Sequence, residues 1–337
     1  MTKFIMLVGL PASGKTTFAQ TIKEKMFKNK NTVILSSDDV REELFGDVVN
    51  NQEKHHHEKV FFTMQSRTLK FLNNGTNVIY DATNIRRKNR VKIINRLPKN
   101  CIKEVFYINK NIDNILKDNK KRDRVVPEDV IKRMYKQLQI PIYSEGWDSI
   151  GFVSSDKPYT EDVVNIINDT LKINEPTYNE VFSTLSIIRE FMQICELPHD
   201  STYHSYSVSR HTYYAYRFIQ DYIQENDVSE YNAEVLKWAI LLHDVGKSFC
   251  KSFKNWRGEE TKYANFIGHE FVGSQIAISV LHKLNKPHKL MYDVATLVQF
   301  HMYLLNENVN LAKLMHRVGG DLYDLLQVIR KADTQAH

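Results

Sequence analysis

Residues 4–17 read Phe4-Ile5-Met6-Leu7-Val8-Gly9-Leu10-Pro11-Ala12-Ser13-Gly14-Lys15-Thr16-Thr17, an apolar run followed at once by the spacing G-x-x-x-x-G-K-[ST]. The order matters as much as the motif. A short strand that feeds a glycine loop, which in turn opens a helix, makes backbone N–H groups converge on an anion. Phe18, Ile22 and Met26 follow at helical spacing, so the leaving helix is present as well. Gly9, Ser13, Gly14 and Thr17 belong to the nucleotide-binding loop, Lys15 would reach the β- and γ-phosphates, and the Thr16 hydroxyl would sit on Mg²⁺. The competing interpretation, a glycine turn beside an unrelated lysine, does not explain the strand-loop-helix context. The stretch implies a bound nucleoside triphosphate, ATP or another NTP.

Outward from this loop, short apolar runs predict strands at 4–8, 32–36, 77–81, 104–108 and 150–153. Helical patterns lie near 15–26, 54–72, 88–95, 112–120, 127–139 and 161–171. Such alternation predicts a parallel sheet covered on both faces, with ligands at the carboxyl ends of the strands. The proline-containing polar stretch 173–177 marks a boundary. Beyond it, helical periodicity recurs at 178–195, 209–225, 233–243, 268–284, 288–300, 311–317 and 321–333, with no convincing strand. The expected architecture is an α/β P-loop domain over residues 1–172 with a parallel sheet, followed by an all-α domain over 178–337.

The net charge of +6 conceals an asymmetry. Residues 1–172 carry 30 basic against 21 acidic residues, hence +9, whereas residues 173–337 carry 16 against 19, hence −3. A basic phosphate-loop half suits a polyanionic second substrate, although solvated lysine-rich helix faces account for the charge as well. The N-terminal apolar run is too short for a signal peptide or a membrane span, so no membrane association is expected. Three cysteines without metal-ligand spacing fit a reducing cytoplasm.

Three further features narrow the first half. Ser37-Asp38-Asp39-Val40-Arg41 follows the second strand; Asp38 could accept a hydroxyl proton and Arg41 hold an acceptor-side phosphate, or the pair is a helix cap with a surface arginine. Asp81-Ala82-Thr83-Asn84 ends the third strand, with Arg86 and Arg87 suited to phosphate. Lys120 to Val126 form a basic loop that opens a helix at Pro127, well placed as its first residue, and could close over a nucleotide. His55-His56-His57, in contrast, reads as a solvated helix start rather than a metal site, and Trp147 as core.

Together these residues resemble the polynucleotide 5′-kinase family over most of residues 1–155. The resemblance implies Lys15, Asp38, Arg41 and Arg122 as catalytic residues: Asp38 as general base on a 5′-hydroxyl, Arg41 on the terminal 3′-phosphate, Arg122 as the lid arginine. A second lid arginine of the family, four positions earlier, is Asp118 here, which leaves Arg124 or Lys121 as candidates for that contact.

In the second half His243-Asp244 closes the apolar helix Leu236–Leu242 and is followed by Val245-Gly246-Lys247. The pair offers an imidazole and a carboxylate to a metal, and Gly246 permits a sharp exit. His211, His269, His301 and Asp333 stand at or near other helix ends. Lys247, Lys251 and Lys254 could bind a substrate phosphate or be ordinary loop lysines, and His204 could contact substrate.

The set resembles the HD phosphohydrolase superfamily, and residues 243–270 are similar to the HD domains of bacterial tRNA nucleotidyltransferases. That resemblance implies His211, His243, Asp244 and Asp333 on a first metal and His269 and His301 on a second. Mixed imidazole and carboxylate ligands suit Mn²⁺, Co²⁺, Ni²⁺ or Fe. The joint expectation is end healing of a broken strand in the cytoplasm: ATP- and Mg²⁺-dependent phosphorylation of 5′-OH ends, with removal of 3′-phosphate or 2′,3′-cyclic phosphate. The partner is nucleic acid, RNA favoured over DNA, in cooperation with a ligase; the oligomeric state stays open. One alternative is a small-molecule or nucleotide kinase fused to a nucleotide phosphohydrolase. Another is a non-catalytic nucleotide-gated module.

Overall fold

Strand β1 (Lys3–Val8) is buried on both faces from Phe4 onward, which is why it reads as an unbroken apolar run. The computed structural model describes residues 1–28, 31–46, 54–200, 206–255, 257–305 and 308–336. β1 is central in a five-stranded sheet with β2 (Thr32–Ser36), β3 (Asn77–Asp81), β4 (Ile102–Asn109) and β5 (Ser149–Ser154), in the order β2-β3-β1-β4-β5. Every pairing is parallel. Because Asp81 lies opposite both Leu7 and Ser36, three strands end level with one another. The connections are α1 (Lys15–Met26), α2 (Ser37–Phe45), α3 (Lys54–Asn73), α4 (Arg87–Ile94), α5 (Ile112–Asn119) and α6 (Glu128–Tyr135). Ile5, Leu7 and Ile79 of the sheet pack against Ala19, Ile22 and Phe27.

Helix α2 answers to the helix-cap alternative for this stretch, with the cap one residue ahead of Ser37 rather than at an aspartate. Its cap is Ser36, whose hydroxyl accepts from Asp38 N and Asp39 N at 3.2 and 3.4 Å. The two aspartates thereby occupy the first turn, where the helix dipole favours them.

The chain divides into two compact units, Met1–Ser155 and Asp156–His337. Helix α7 (Glu161–Thr170) therefore goes with the second unit, and the division falls ahead of the 173–177 stretch. Hydrogen bonds hold it there: Thr170 Oγ1 meets Thr184 Oγ1 at 3.0 Å, and Lys237 Nζ and Gln220 Nε2 donate to Leu171 O and Ile173 O, each at 3.1 Å. Pro176 marks a turn within one packed body.

The expected helix 178–195 is two, α8 (Tyr178–Leu185) and α9 (Arg189–Met192). Ser186 bonds back to Phe182 O, and Ile188 takes extended angles that bury its side chain. Then come α10 (Val208–Glu225), α11 (Glu230–Leu242) and α12 (Lys247–Cys250). The otherwise helical unit holds one hairpin that the sequence reading lacked, β6 (Ser252–Lys254) with β7 (Glu260–Asn265). It turns through Gly258 at φ +87° and is too short and polar to leave an alternating signal. Helices α13 (His269–Lys283), α14 (His288–Phe300), α15 (Leu311–Val318) and α16 (Gly320–Gln335) follow. Among the described residues no helix is long and apolar enough to cross a membrane.

One buried ion pair fixes the floor of the first unit. Arg90 and Glu145, both without solvent exposure, share bonds of 2.7 and 2.6 Å, and Arg90 also donates to Asn84 O and Gln139 O. Trp147, buried as expected, donates to the same carboxylate at 3.0 Å. Leaving Arg90 without its partner should be costly. Glu145→Ala is expected to lower stability by about 3–5 kcal/mol in urea titrations. An Arg90→Met/Glu145→Met double variant should recover part of that loss.

Candidate active sites

In the first unit the loop after β1 needs two glycines for different reasons. A Cβ at Gly9 would fall 2.8 Å from Ser13 Oγ and 2.9 Å from Ile108 O, whereas Gly14 sits at φ +96°. Lys15 folds back so that Nζ donates to Leu10 O at 2.7 Å. Burial pulls its pKa down to about 8, with Asp81 working in the opposite direction. Thr16 Oγ1 donates to Asp81 Oδ2 at 2.8 Å, the hydroxyl-carboxylate pair that would share a Mg²⁺ ion. Burial raises the Asp81 pKa, so its charge asks for a cation. Ser13 Oγ is buried against Gly9 with no hydrogen-bond partner, and Ser13 does not line the cavity into which its neighbours open.

Lys15, Thr16 and Asp81 open into a cavity of about 420 Å³, lined also by Asp38, Arg41, His57, Phe61, Arg122 and Arg124. Arg41 is buried rather than a surface arginine. Arg124 Nη1 donates to Asp38 Oδ1 at 2.7 Å, and Arg41 Nη1 lies 3.7 Å from the same oxygen. Asp118 is held by Lys110 at 2.6 Å and Lys121 at 2.8 Å, well below the ordinary carboxylate range at a pKa of about 2. Lys110 and Arg124 face the cavity and Lys121 does not. Arg86 is also outside it, donating to Gln137 at 2.7 Å.

In the second unit six side chains gather in two buried groups, His211, His243 and Asp333, and Asp244, His269 and His301; within each, the ligand atoms lie within 4.8 Å of one another. Asp244, expected with the first group, faces both. Its Oδ2 is 3.3 Å from His243 Nε2 and 3.7 Å from His211 Nε2, and its Oδ1 is 3.5 Å from His269 Nε2.

All four histidines lean on the main chain in one way. His211, His243, His269 and His301 set Nδ1 against the carbonyls of Ala336, Ile240, Phe266 and Val298 at 2.6–2.9 Å. Nδ1 therefore carries a proton in each ring, and each Nε2 points inward, that of His211 to Asp333 Oδ1 at 2.9 Å.

Comparisons with known proteins assign both halves. An AAA domain model matches residues 4–141 and an HD domain model residues 202–334. The chain joins a P-loop kinase-type domain to an HD domain. The chain is 31% identical over 175 residues to the L-seryl-tRNA(Sec) kinase of Methanococcus maripaludis, covering 51% of this chain and 66% of that protein. It is 35% identical over 103 residues to the A-adding tRNA nucleotidyltransferase of Deinococcus radiodurans, covering 30% of this chain and 23% of that protein. The chain thus spans less than two thirds of either relative. Among solved structures, a chain of the Pnkp1/Rnl/Hen1 RNA repair complex is 26% identical with a TM-score of 0.37, covering 41% of this chain and 44% of that one.

The HD donor set fits divalent ions. His269 Nε2 and His301 Nε2 face each other at 3.2 Å. Burial, reinforced by neighbouring positive charge, pulls these rings down to pKa values of about 3 and 4, so both are neutral at pH 7. Two lone pairs opposed at that distance call for a cation between them. His243 Nε2 is buried beside Asp244 and Asp333 yet makes no directed hydrogen bond. Burial disfavours its charged form, but the two carboxylates outweigh burial and raise it to about 10. That proton supplies the positive charge the carboxylates demand, and a metal would displace it.

The HD site also holds one residue outside the sequence candidates, His199. Lys247, a candidate phosphate ligand, pairs with Asp244 Oδ2 at 2.6 Å and meets His199 Nε2 at 3.1 Å. The signal for His199 was the dipeptide His199-Asp200, a second His-Asp in the chain. Its aspartate instead pairs with Lys251 at 2.6 Å. In the kinase domain His57 is exposed in the first turn of α3, as a solvated helix start should be, and it also lines the cavity: its Nδ1 accepts from Arg41 Nη2 at 3.0 Å and its ring packs on Phe61. His204 and the His55 side chain lie outside the described residues.

Two outcomes are expected. Elemental analysis of protein loaded with Mn²⁺ should show bound metal falling by about half in His301→Ala, which strips one donor group, and to background in Asp244→Ala, which faces both. Calorimetry of Mn²⁺ binding in buffers of different ionisation enthalpy should show roughly one proton released per chain at pH 7. His243 is protonated below its raised pKa of about 10, so apparent affinity rises with pH through neutrality.

Proposed function

We propose that this chain heals broken RNA ends, phosphorylating 5′-OH ends with ATP and Mg²⁺ and removing 3′-phosphate or 2′,3′-cyclic phosphate with divalent transition metals. The observation that carries the reading is one cavity in which a phosphate loop, a strand-end aspartate and an arginine-flanked carboxylate meet, in the same chain as a buried pocket of four imidazoles and two carboxylates. The kinase and the nucleotidyltransferase named above both bear names that specify tRNA, which supports RNA as the substrate class.

In the kinase domain Lys15 and the loop amides would hold the β- and γ-phosphates, and Thr16 with Asp81 would hold Mg²⁺. Asp38 would take the proton from the attacking hydroxyl. Arg124, bonded to Asp38 here, would have to swing to the transferred phosphoryl alongside Arg122, leaving that oxygen open. Arg41 would clamp the acceptor-side phosphate.

In the HD domain the imidazoles and Asp244 would hold the ions, which when bound generate a hydroxide near neutral pH and screen phosphoryl charge. Lys247, fixed between Asp244 and His199, would bind a phosphoryl oxygen. A second reading follows from the archaeal relative's name: the acceptor hydroxyl is a seryl group carried on tRNA.

ATP-dependent labelling of a 5′-OH oligoribonucleotide is expected to fall at least about a hundredfold in Asp38→Ala. Phosphate release from a 3′-phosphorylated strand should fall as far in Asp244→Ala, each variant retaining the other activity. Labelling of seryl-tRNA but not of 5′-OH RNA would favour the second reading.

A further inference from the structure

The hairpin β6–β7 rises directly from the metal pocket. At its base the two chains touch: a Cβ on Gly246 would fall 2.3 Å from His269 O and 2.8 Å from Gly273 N. Six residues after Gly246 the ribbon begins, and four residues after Asn265 the chain reaches His269. Phe266, between them, gives its carbonyl to His269 Nδ1 and its ring face to Lys247 Nζ at 5.4 Å. The root of the ribbon is thus built into the group that would bind phosphate.

Its outer part has a different character from the rest of the unit. Residues 245–265 carry Lys247, Lys251, Lys254, Arg257 and Lys262 against Glu259 and Glu260, a net +3, although residues 173–337 are net negative by −3. Phe253 and Tyr263, one on each strand, are 46% and 44% exposed, and Ile267 at the foot is 58% exposed. Lys262 Nζ lies 5.2 Å from the Tyr263 ring centre. Aromatic faces interleaved with cations are a platform for the bases and backbone of a single strand.

We infer that this hairpin binds single-stranded nucleic acid, holding the nucleotides next to a terminal phosphate delivered to Lys247 and the metal ligands. The inference rests on the end-healing reading and adds to it the surface by which the HD domain would take a polymer rather than a mononucleotide. Phe253 and Tyr263 stack on bases; Lys254 and Lys262 meet phosphates.

The test is photocrosslinking of the full chain to a 3′-phosphorylated 12-mer RNA carrying 4-thiouridine, with crosslinked peptides mapped by mass spectrometry. Crosslinks within residues 252–267 are expected, reduced about tenfold in Phe253→Ala/Tyr263→Ala and outcompeted by single-stranded but not duplex RNA. A Lys254→Glu/Lys262→Glu variant, which leaves the aromatic rings in place, should lose about two units of salt dependence in binding. Absence of crosslinks from 252–267, crosslinks unchanged by both variants, or self-association through the hairpin in place of RNA contact would each overturn the inference. Crosslinking needs no turnover, so hairpin crosslinks without phosphate release would sink the end-healing reading alone. Phosphate release without hairpin crosslinks would sink this one alone.

Discussion

Four hydrogen bonds from imidazole Nδ1 to main-chain carbonyls are the constraint on which the HD pocket depends. In three of them the acceptor is the carbonyl three residues earlier, Ile240, Phe266 and Val298 for His243, His269 and His301. Ring orientation and tautomer are therefore set locally: Ile240 and Val298 offer last-turn carbonyls of α11 and α14, and Phe266 offers the carbonyl of the turn ahead of α13, which also accepts from His269 N at 3.0 Å. Tertiary packing has only to bring the ends together. His211 differs, because its carbonyl partner Ala336 is supplied from beyond α16, the helix that also brings Asp333 to the pocket.

The kinase cavity is organised by strand ends rather than helix ends. Register alone levels Leu7, Ser36 and Asp81, so that the phosphate loop, the first turn of α2 and the Asp81 carboxylate face one space. The Arg90–Glu145 pair works at a distance from the chemistry. Through Asn84 O it holds the loop after β3, whose Asn84 in turn donates to Leu7 O at 2.7 Å behind the phosphate loop. A buried ion pair of this kind contributes geometry more than net stability.

Much of this was legible in the sequence, because the pattern is strongest where elements are buried on both faces. β2 and β3 have the bounds that the apolar runs indicated, and the six proposed HD ligands converge. What escaped notice was set by three-dimensional neighbours. α2 takes its cap from Ser36, one residue ahead of the stretch that offered a helix cap. His57 gains its role only because α3 sets it beside Arg41, and Lys110 because Asp118 draws it towards the cavity. Gly246 was read as the residue of a sharp exit, yet its φ is −68°, an ordinary helical value. Its glycine answers a contact, not a conformation.

That contact has an evolutionary corollary. One hydrogen atom at position 246 is all that separates two backbones on which opposite sides of the metal pocket are mounted. A single added methyl group, harmless on most surfaces, would act there as a wedge. Outside the side chains that would meet RNA, drift can reshape the exposed ribbon, while its root stays under a veto imposed by atomic radius alone.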